Sequence, residues 1–577
     1  MRSEKQEVRS GEGERESSLL LLLIGRSECW LMPITEYLVA NALHYGDRVC
    51  LTEINPEQEE KKANGQAWKE LALVETAHNI RYRKELTWRS FDERANQFAN
   101  LLLDRGVKQG EKVGILLMNC LEWLPIYFGV LKTGAIVVPI NFRYSADEIA
   151  YALGLAQVSV LVFGPEFVGR METIREDLDG LSSVFFVGEE TPDYAESYVD
   201  LAANASVIGP DIVLTDEQDA AIYFSSGTTG RPKAILHTHR SLVMSCQVEQ
   251  NHHSQTISDV FLCIPPLYHT GAKMHWFGSL LVGGSAVLLR GIRPEWILET
   301  AAHERATVVW LLVPWAQDIL DAIESGEVKL EDYDLSAWRL MHIGAQPVPP
   351  SLIRRWKKYF PHHEYDTNYG LSESIGPGAV HLGVGNIHKV GAIGKAGFGW
   401  QTRIVNESGE DVNPGDVGEL ILRGDGVMKC YYRDPEATAA ALKGGWLFTG
   451  DMACEDEDGF IFLVDRKKDV IITGGENIYP VQIEDFLRGF DKIKDVAVIG
   501  LAEHRLGEIA AAIVEIKSGM ACDESEIRQF CEQLPRYKRP YQIFFDQVPR
   551  NATGKIEKPK LRSKYGGESV VRKQIDN

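Results

Sequence analysis

Residues 223–233 read YFSSGTTGRPK and follow an apolar run directly, gathering hydroxyls, glycines and one lysine in a short stretch. Glycine lets backbone amides come close to phosphate oxygens. Ser225, Ser226, Thr228 and Thr229 can donate hydrogen bonds, and Lys233 adds a mobile positive charge. Gly227, Gly230 and Lys233 give G-x-x-G-x-x-K, a spacing distinct from the Walker A loop, so this is a phosphate-holding chemistry of another kind. Further along, Gly370, Ser372 and Ser374 nearly spell the G-x-S-x-G elbow of hydrolases. The last position is serine, which argues against a serine nucleophile.

Other segments concentrate groups suited to a phosphorylated ligand: GAQP (344–347), YGLSES (369–374), GWLFTGD (445–451), DRKKDVIITGGENIYPVQIE (465–484), PRNATGKIEK (549–558) and PPLYHTGA (265–272). Together with SSGTTGRPK they resemble, in order, the motifs of the adenylate-forming superfamily. That superfamily includes acyl-CoA synthetases, luciferase-like enzymes and the adenylation domains of peptide synthetases. Residues 465–484 are especially similar to fatty-acid–CoA ligases, and the resemblance covers nearly the whole chain from about Met32.

The resemblance implies a set of roles. Ser225, Ser226, Gly227, Thr229, Gly230 and Lys233 hold the phosphates of ATP, and Thr228 and Glu373 serve Mg²⁺ between them, a hard cation that wants oxygen ligands. Gly344, Ala345 and Gln346 form one wall for adenine, and Tyr369, Gly370 and Ser372 belong to the other. Gln346 replaces a commoner small residue, and Ser372 stands where threonine is usual. Asp451 bridges two ribose hydroxyls, Arg466 makes a second ribose or phosphate contact, and Lys468 is the hinge. Gly474 and Gly475 let a pantetheine arm pass. Gln482 stands where glutamate is frequent. Lys555 binds the carboxylate and the α-phosphate in the first step, and His269 gates or orients at the acyl tunnel.

The activity implied is ATP-dependent activation of a carboxylic acid to acyl-AMP and then acyl-CoA, with a medium- or long-chain fatty acid expected. An aromatic or alicyclic acid, or loading of a carrier-protein thiol, is the alternative, and free coenzyme A is expected over a carrier. Trp276, Trp310 and Trp315 are candidates either for an acyl pocket or for plain core packing.

These residues need a frame. The chain has 577 residues, enough for roughly two to four domains. Lys and Arg total 61 against 82 Asp and Glu, a net charge of −21, so the overall field does not favour nucleic acid or an anionic membrane. No CxxC pair occurs among the cysteines, which points to a reducing, cytoplasmic setting. The aliphatic run 19–24 is too short to span a bilayer and has acidic flanks, so residues 1–31 are expected to be a disordered extension.

From residue 86 onward, apolar runs alternate with helical stripes. Ser90 with Glu93 and Ser145 with Glu148 read as capping boxes, and KVGILL, GAIVVPI, VSVLVF and TVVWLLV read as buried parallel strands. Residues 388–464 switch to short alternating strands, and 55–70 read as a loop insertion. The expected fold is α/β: a large domain over 32–465 with doubly wound, mostly parallel sheets and a barrel-like part, then a small mobile α+β domain over 466–577 with an amphipathic helix near 523–534. A homodimer is compatible with the sequence.

Overall fold

The computed structural model describes residues 32–56, 83–178, 180–225, 232–344, 348–381, 386–473, 476–550 and 556–566. Two large sheets dominate the first four-fifths of the chain. In one, Lys112–Leu116, Ile136–Pro139, Val160–Phe163 and Ser183–Phe186 pair in parallel, and Ile136–Pro139 runs beside Asp219–Phe224. In the other, Glu364–Asp366, Leu340–Gly344, Val308–Leu312, Val260–Cys263, Ser285–Leu289 and Val49–Ile54 are all parallel, and Arg83–Thr87 closes the edge antiparallel. Every residue of Val308–Leu312 and Leu340–Gly344 is buried, which is why those strands read as continuous apolar runs.

Between the sheets, Phe91, Phe128 and Trp276 interlock with ring centroids 5.6–5.7 Å apart, so Trp276 takes the core-packing role. The helix expected to open at Ser90 starts two residues earlier, at Trp88. Thr87 takes the capping role and accepts the Ser90 N–H at 3.2 Å, because the wholly buried Trp88 must enter the core on the first turn. The Ser145–Glu148 box forms as read, with both reciprocal bonds present.

The alternating texture of 388–464 becomes a five-stranded antiparallel sheet containing Gln401–Val405, Gly418–Arg423, Trp446–Glu455 and Ile461–Arg466. A last sheet, built on the long pair Ile493–Glu503 and Gly507–Ile516, encloses its own core around Val498, Val514 and Ile527. Its amphipathic helix is shorter than expected, Glu524–Phe530, and a 3-10 turn follows at Cys531–Gln533. The architecture is α/β, with a large N-terminal part and a small C-terminal one. Residues 1–31 and most of 55–70 lie outside the described residues.

Candidate active site

The strand Asp219–Phe224 and its antiparallel partner Ala234–Thr238 form a hairpin whose register ends at Phe224↔Ala234. At its tip Ser225 donates its backbone N–H to the Lys233 carbonyl at 3.0 Å, and its Oγ accepts the Lys233 N–H at 3.2 Å. The expected phosphate-holding residues Ser226, Gly227, Thr228, Thr229 and Gly230 fall outside the described residues.

From the hairpin two contacts reach the YGLSES segment. Lys233 lays its ammonium 4.5 Å from the centre of the Tyr431 ring, and the Tyr431 hydroxyl donates to Glu373 Oε1 at 2.8 Å. His237 Nε2 stands 2.8 Å from the Ser372 carbonyl oxygen. Because that oxygen can only accept, this nitrogen carries the proton. Burial and the Glu373 charge push the Tyr431 phenol upward, so it stays a donor at neutral pH. Tyr431 and His237 escaped the sequence reading. Tyr431 arrives only through the pairing Tyr431↔Ile235, across nearly two hundred positions of chain, which no local pattern announces.

Tyr369, Asp451 and Arg466 form the second group. Tyr369 is buried at the centre of the short strand Asn368–Gly370, and its hydroxyl donates to Asp451 Oδ2 at 2.5 Å. Asp451 and Arg466 are cross-strand partners, with Arg466 Nε 2.6 Å from Asp451 Oδ1. Burial alone would weaken the charge on Arg466, but Asp451 and Glu373 beside it hold the guanidinium firmly protonated. One carboxylate, one guanidinium and one phenol thus meet at a site able to take a vicinal diol beside an aromatic ring. Lys468 follows in the turn after Arg466, where Asp469 N–H bonds back to the Arg466 carbonyl at 2.8 Å.

A third wall is built around Trp310. His269 caps the helix Thr270–Val282, and its Nδ1 accepts the Gly271 N–H at 3.2 Å, a structural task that occupies one ring nitrogen. A methyl group at Gly271 would stand 2.3 Å from Trp310 Cη2, and one at Gly344 would stand 3.9 Å from both Trp310 Nε1 and Thr367 Oγ1. The indole therefore reaches from the His269 segment to Gly344, next to the strand that carries Tyr369. Trp315 packs into the cluster on the opposite face of the same sheet.

Ala345, Gln346, Gly474, Gly475 and Lys555 lie outside the described residues. On either side of 551–555 the chain is pinned, by Arg550 gripping Asp495 through both carboxylate oxygens (2.7 and 2.9 Å) and by the buried Lys558 on Glu484 (2.9 Å).

Residues 60–432 match the model of the AMP-binding enzyme family, and 482–555 match that of the AMP-binding enzyme C-terminal domain. The chain belongs to the AMP-binding enzyme family. It is an enzyme of the adenylate-forming superfamily, as its motifs suggested.

Among its relatives are a feruloyl-CoA synthase of Amycolatopsis, 33% identical over 83% of this chain and 94% of that protein, and a long-chain-fatty-acid–CoA ligase of Mycobacterium tuberculosis, 30% identical over 86% and 95%. The crystal structure of an anthranilate CoA ligase in complex with anthranoyl-AMP superposes with a TM-score of 0.80 at 26% identity, covering 93% of this chain and 98% of that one. No helix among the described residues is long and apolar enough to cross a membrane.

For the Mg²⁺ that the family implies, the donor chemistry fits. Glu373 is half-buried, its Oε1 accepts the Tyr431 hydroxyl, and a carboxylate is the oxygen donor a hard cation takes.

Proposed function

We propose that this protein activates a carboxylic acid with ATP, forming acyl-AMP and pyrophosphate, and then transfers the acyl group to the thiol of coenzyme A with release of AMP. The observation that carries the reading is the convergence of Tyr369, Asp451 and Arg466, beside the Lys233–Tyr431–Glu373 chain, in an AMP-binding enzyme. In this reading Asp451 accepts the ribose hydroxyls, Tyr369 flanks adenine together with Gly344, and Arg466 makes a second ribose or phosphate contact beside Asp451. Ser225, Lys233 and the loop between them receive the phosphates. Glu373 and Thr228 would hold Mg²⁺, which would supply neutralisation of the phosphate charge.

In the first step the acid's carboxylate oxygen attacks the α-phosphorus and the bond to pyrophosphate breaks. Lys555 stands by the entering carboxylate and the α-phosphate, where fixed positive charge is most effective as charge redistributes. In the second step the thiol sulfur attacks the acyl carbonyl, loses its proton, and expels AMP. One small domain, residues 466–577, presents Lys555 for the first step and the Gly474–Gly475 turn for the second by rotating about Lys468 against the body 32–465. We place the enzyme in the cytoplasm, where both co-substrates are available.

For the acid, the likeness of 465–484 to fatty-acid ligases supports a medium or long aliphatic chain. The Trp310 indole, wedged between Gly271 and Gly344, favours a second reading, a compact aromatic or alicyclic acid, in line with the feruloyl-CoA synthase relative. A panel of aliphatic and aryl acids, assayed for pyrophosphate release with ATP and then for thioester with coenzyme A, separates the two. Turnover of neither class would refute the proposed function.

A further inference from the structure

The helix His239–His252 is followed by His253, whose imidazole is buried between two carboxylates. Its Nδ1 stands 3.1 Å from Glu249 Oε2, one turn back on the same helix, and its Nε2 stands 2.9 Å from Asp366 Oδ2 at the end of the strand Glu364–Asp366. All three side chains are at most 4% exposed. The other oxygen of Glu249 accepts the Asn368 side-chain amide at 2.5 Å. The residues on either side of Thr367 are therefore fastened to the end of one helix, and the next residue is Tyr369.

The strand Asn368–Gly370 is three residues long and lies at the edge of its sheet, paired among the described residues only with Pro377–Val380. A strand this short has little ladder of its own, so side-chain anchors decide where it sits. Around His253 the other charged and titratable groups include His342, with ring centres 4.9 Å apart, the preceding His252, and Arg339, which donates to the His253 carbonyl at 2.8 Å and pairs with Asp259. Burial works against an imidazolium here, but Glu249 and Asp366 outweigh it and raise the His253 pKa.

We infer that His253, gripped by Glu249 and Asp366, is a positioning residue that fixes the strand Asn368–Gly370 and so holds Tyr369 in register with Asp451 for the adenosine of ATP. The inference rests on the proposed reading of Tyr369 and Asp451 as the nucleoside wall. Its physical basis is leverage: Tyr369 follows Asn368 directly, so a displacement of this strand carries the whole ring away from the adenosine position and lengthens the contact of its phenol with Asp451.

The test uses the full chain, with AMP binding by calorimetry and steady-state KM values for ATP, acid and coenzyme A. Asp366→Ala and His253→Ala should raise the AMP Kd and the ATP KM by about tenfold or more while leaving the acid KM within about threefold, the size of loss expected from a misplaced binding group. Asp366→Asn keeps an oxygen that accepts the imidazole N–H and should restore nucleotide affinity.

Should His253→Ala fail to fold, the Asp366 pair and Asn368→Ala carry the test. Unchanged AMP affinity in Asp366→Ala overturns the inference, as does equal weakening of all three substrates. Zinc or another divalent metal bound stoichiometrically in the purified protein and lost in His342→Ala also overturns it, since Glu249, His253 and His342 would then be ligands and not a clamp. If wild-type protein binds no AMP at all, the nucleoside reading falls instead.

Discussion

Replacing Asp451 with asparagine tests the nucleoside site most sharply, because the geometry fixes how many donors the carboxylate can take. An ionised carboxylate offers about four lone-pair positions. Tyr369 uses one on Oδ2 and Arg466 one on Oδ1, so one position on each oxygen remains, matching the two adjacent hydroxyls of a ribose. An asparagine amide in its place would offer lone pairs at one end only and no charge. A hydrogen bond to a charged acceptor contributes about 1.5–3 kcal/mol. Losing one raises the ATP KM by about 10- to 150-fold, at about 1.4 kcal/mol per decade.

The assay is pyrophosphate release with ATP, 2′-deoxy-ATP and 3′-deoxy-ATP, with melting temperature measured alongside to separate binding from the unpaired Arg466. Wild type should lose about tenfold or more on removal of either hydroxyl, whereas Asp451→Asn should lose little further on removal of the hydroxyl that faces its amide nitrogen, because the acceptor for that one is already gone. Tyr369→Phe keeps the ring and both open positions, so its effect should be small. If Asp451→Asn discriminates ribose from deoxyribose as strongly as wild type does, Asp451 does not hold the diol.

Four further outcomes follow from the same structure and motifs. Lys555→Ala should abolish acyl-AMP formation, by a factor on the order of 10² to 10³, yet still convert preformed acyl-AMP and coenzyme A to thioester; equal loss of both steps, measured separately, contradicts domain alternation. Gly475→Val should do the reverse, sparing pyrophosphate exchange while thioester yield collapses. Gly271→Ala forces a methyl to within 2.3 Å of the buried Trp310 ring, so the acid KM should rise while the ATP KM holds, with a stability cost of about 1–3 kcal/mol read from the melting curve. Burial, reinforced by the nearby Glu122, raises the Glu53 carboxyl from 4.5 to about 7. The fold is therefore favoured with Glu53 protonated, and that contribution, complete below about pH 4.5, fades as pH rises through about 7. The melting temperature should fall from about pH 5 to about pH 8 and do so less in Glu53→Gln, which still accepts the Leu121 N–H; parallel profiles would refute this.

The sequence by itself determined the class of chemistry and the α/β frame. Phosphate chemistry shows in local strings, because glycine, hydroxyl and lysine must sit within a few residues to surround one anion, and buried parallel strands show as unbroken apolar runs such as 308–312. The hydroxyl-bearing loop, Lys555 and the glycine turn are legible in this way, and they lie outside the described residues.

Tertiary structure alone decided which groups face each other. Tyr431 comes beside Lys233 and Glu373 through a strand pairing distant in sequence, and the Tyr369 phenol finds Asp451 across two separate sheets. His253 reaches Asp366 only because a helix end packs against a strand more than a hundred residues later. The sequence left Trp276 open between pocket and core, since an aromatic ring in an apolar stripe reads the same whether it meets a ligand or Phe91, and the structure packs it against Phe91. Local spacing encodes what one segment can bind. Partnerships between distant segments depend on sheet order and register, which the side-chain pattern along one strand does not specify.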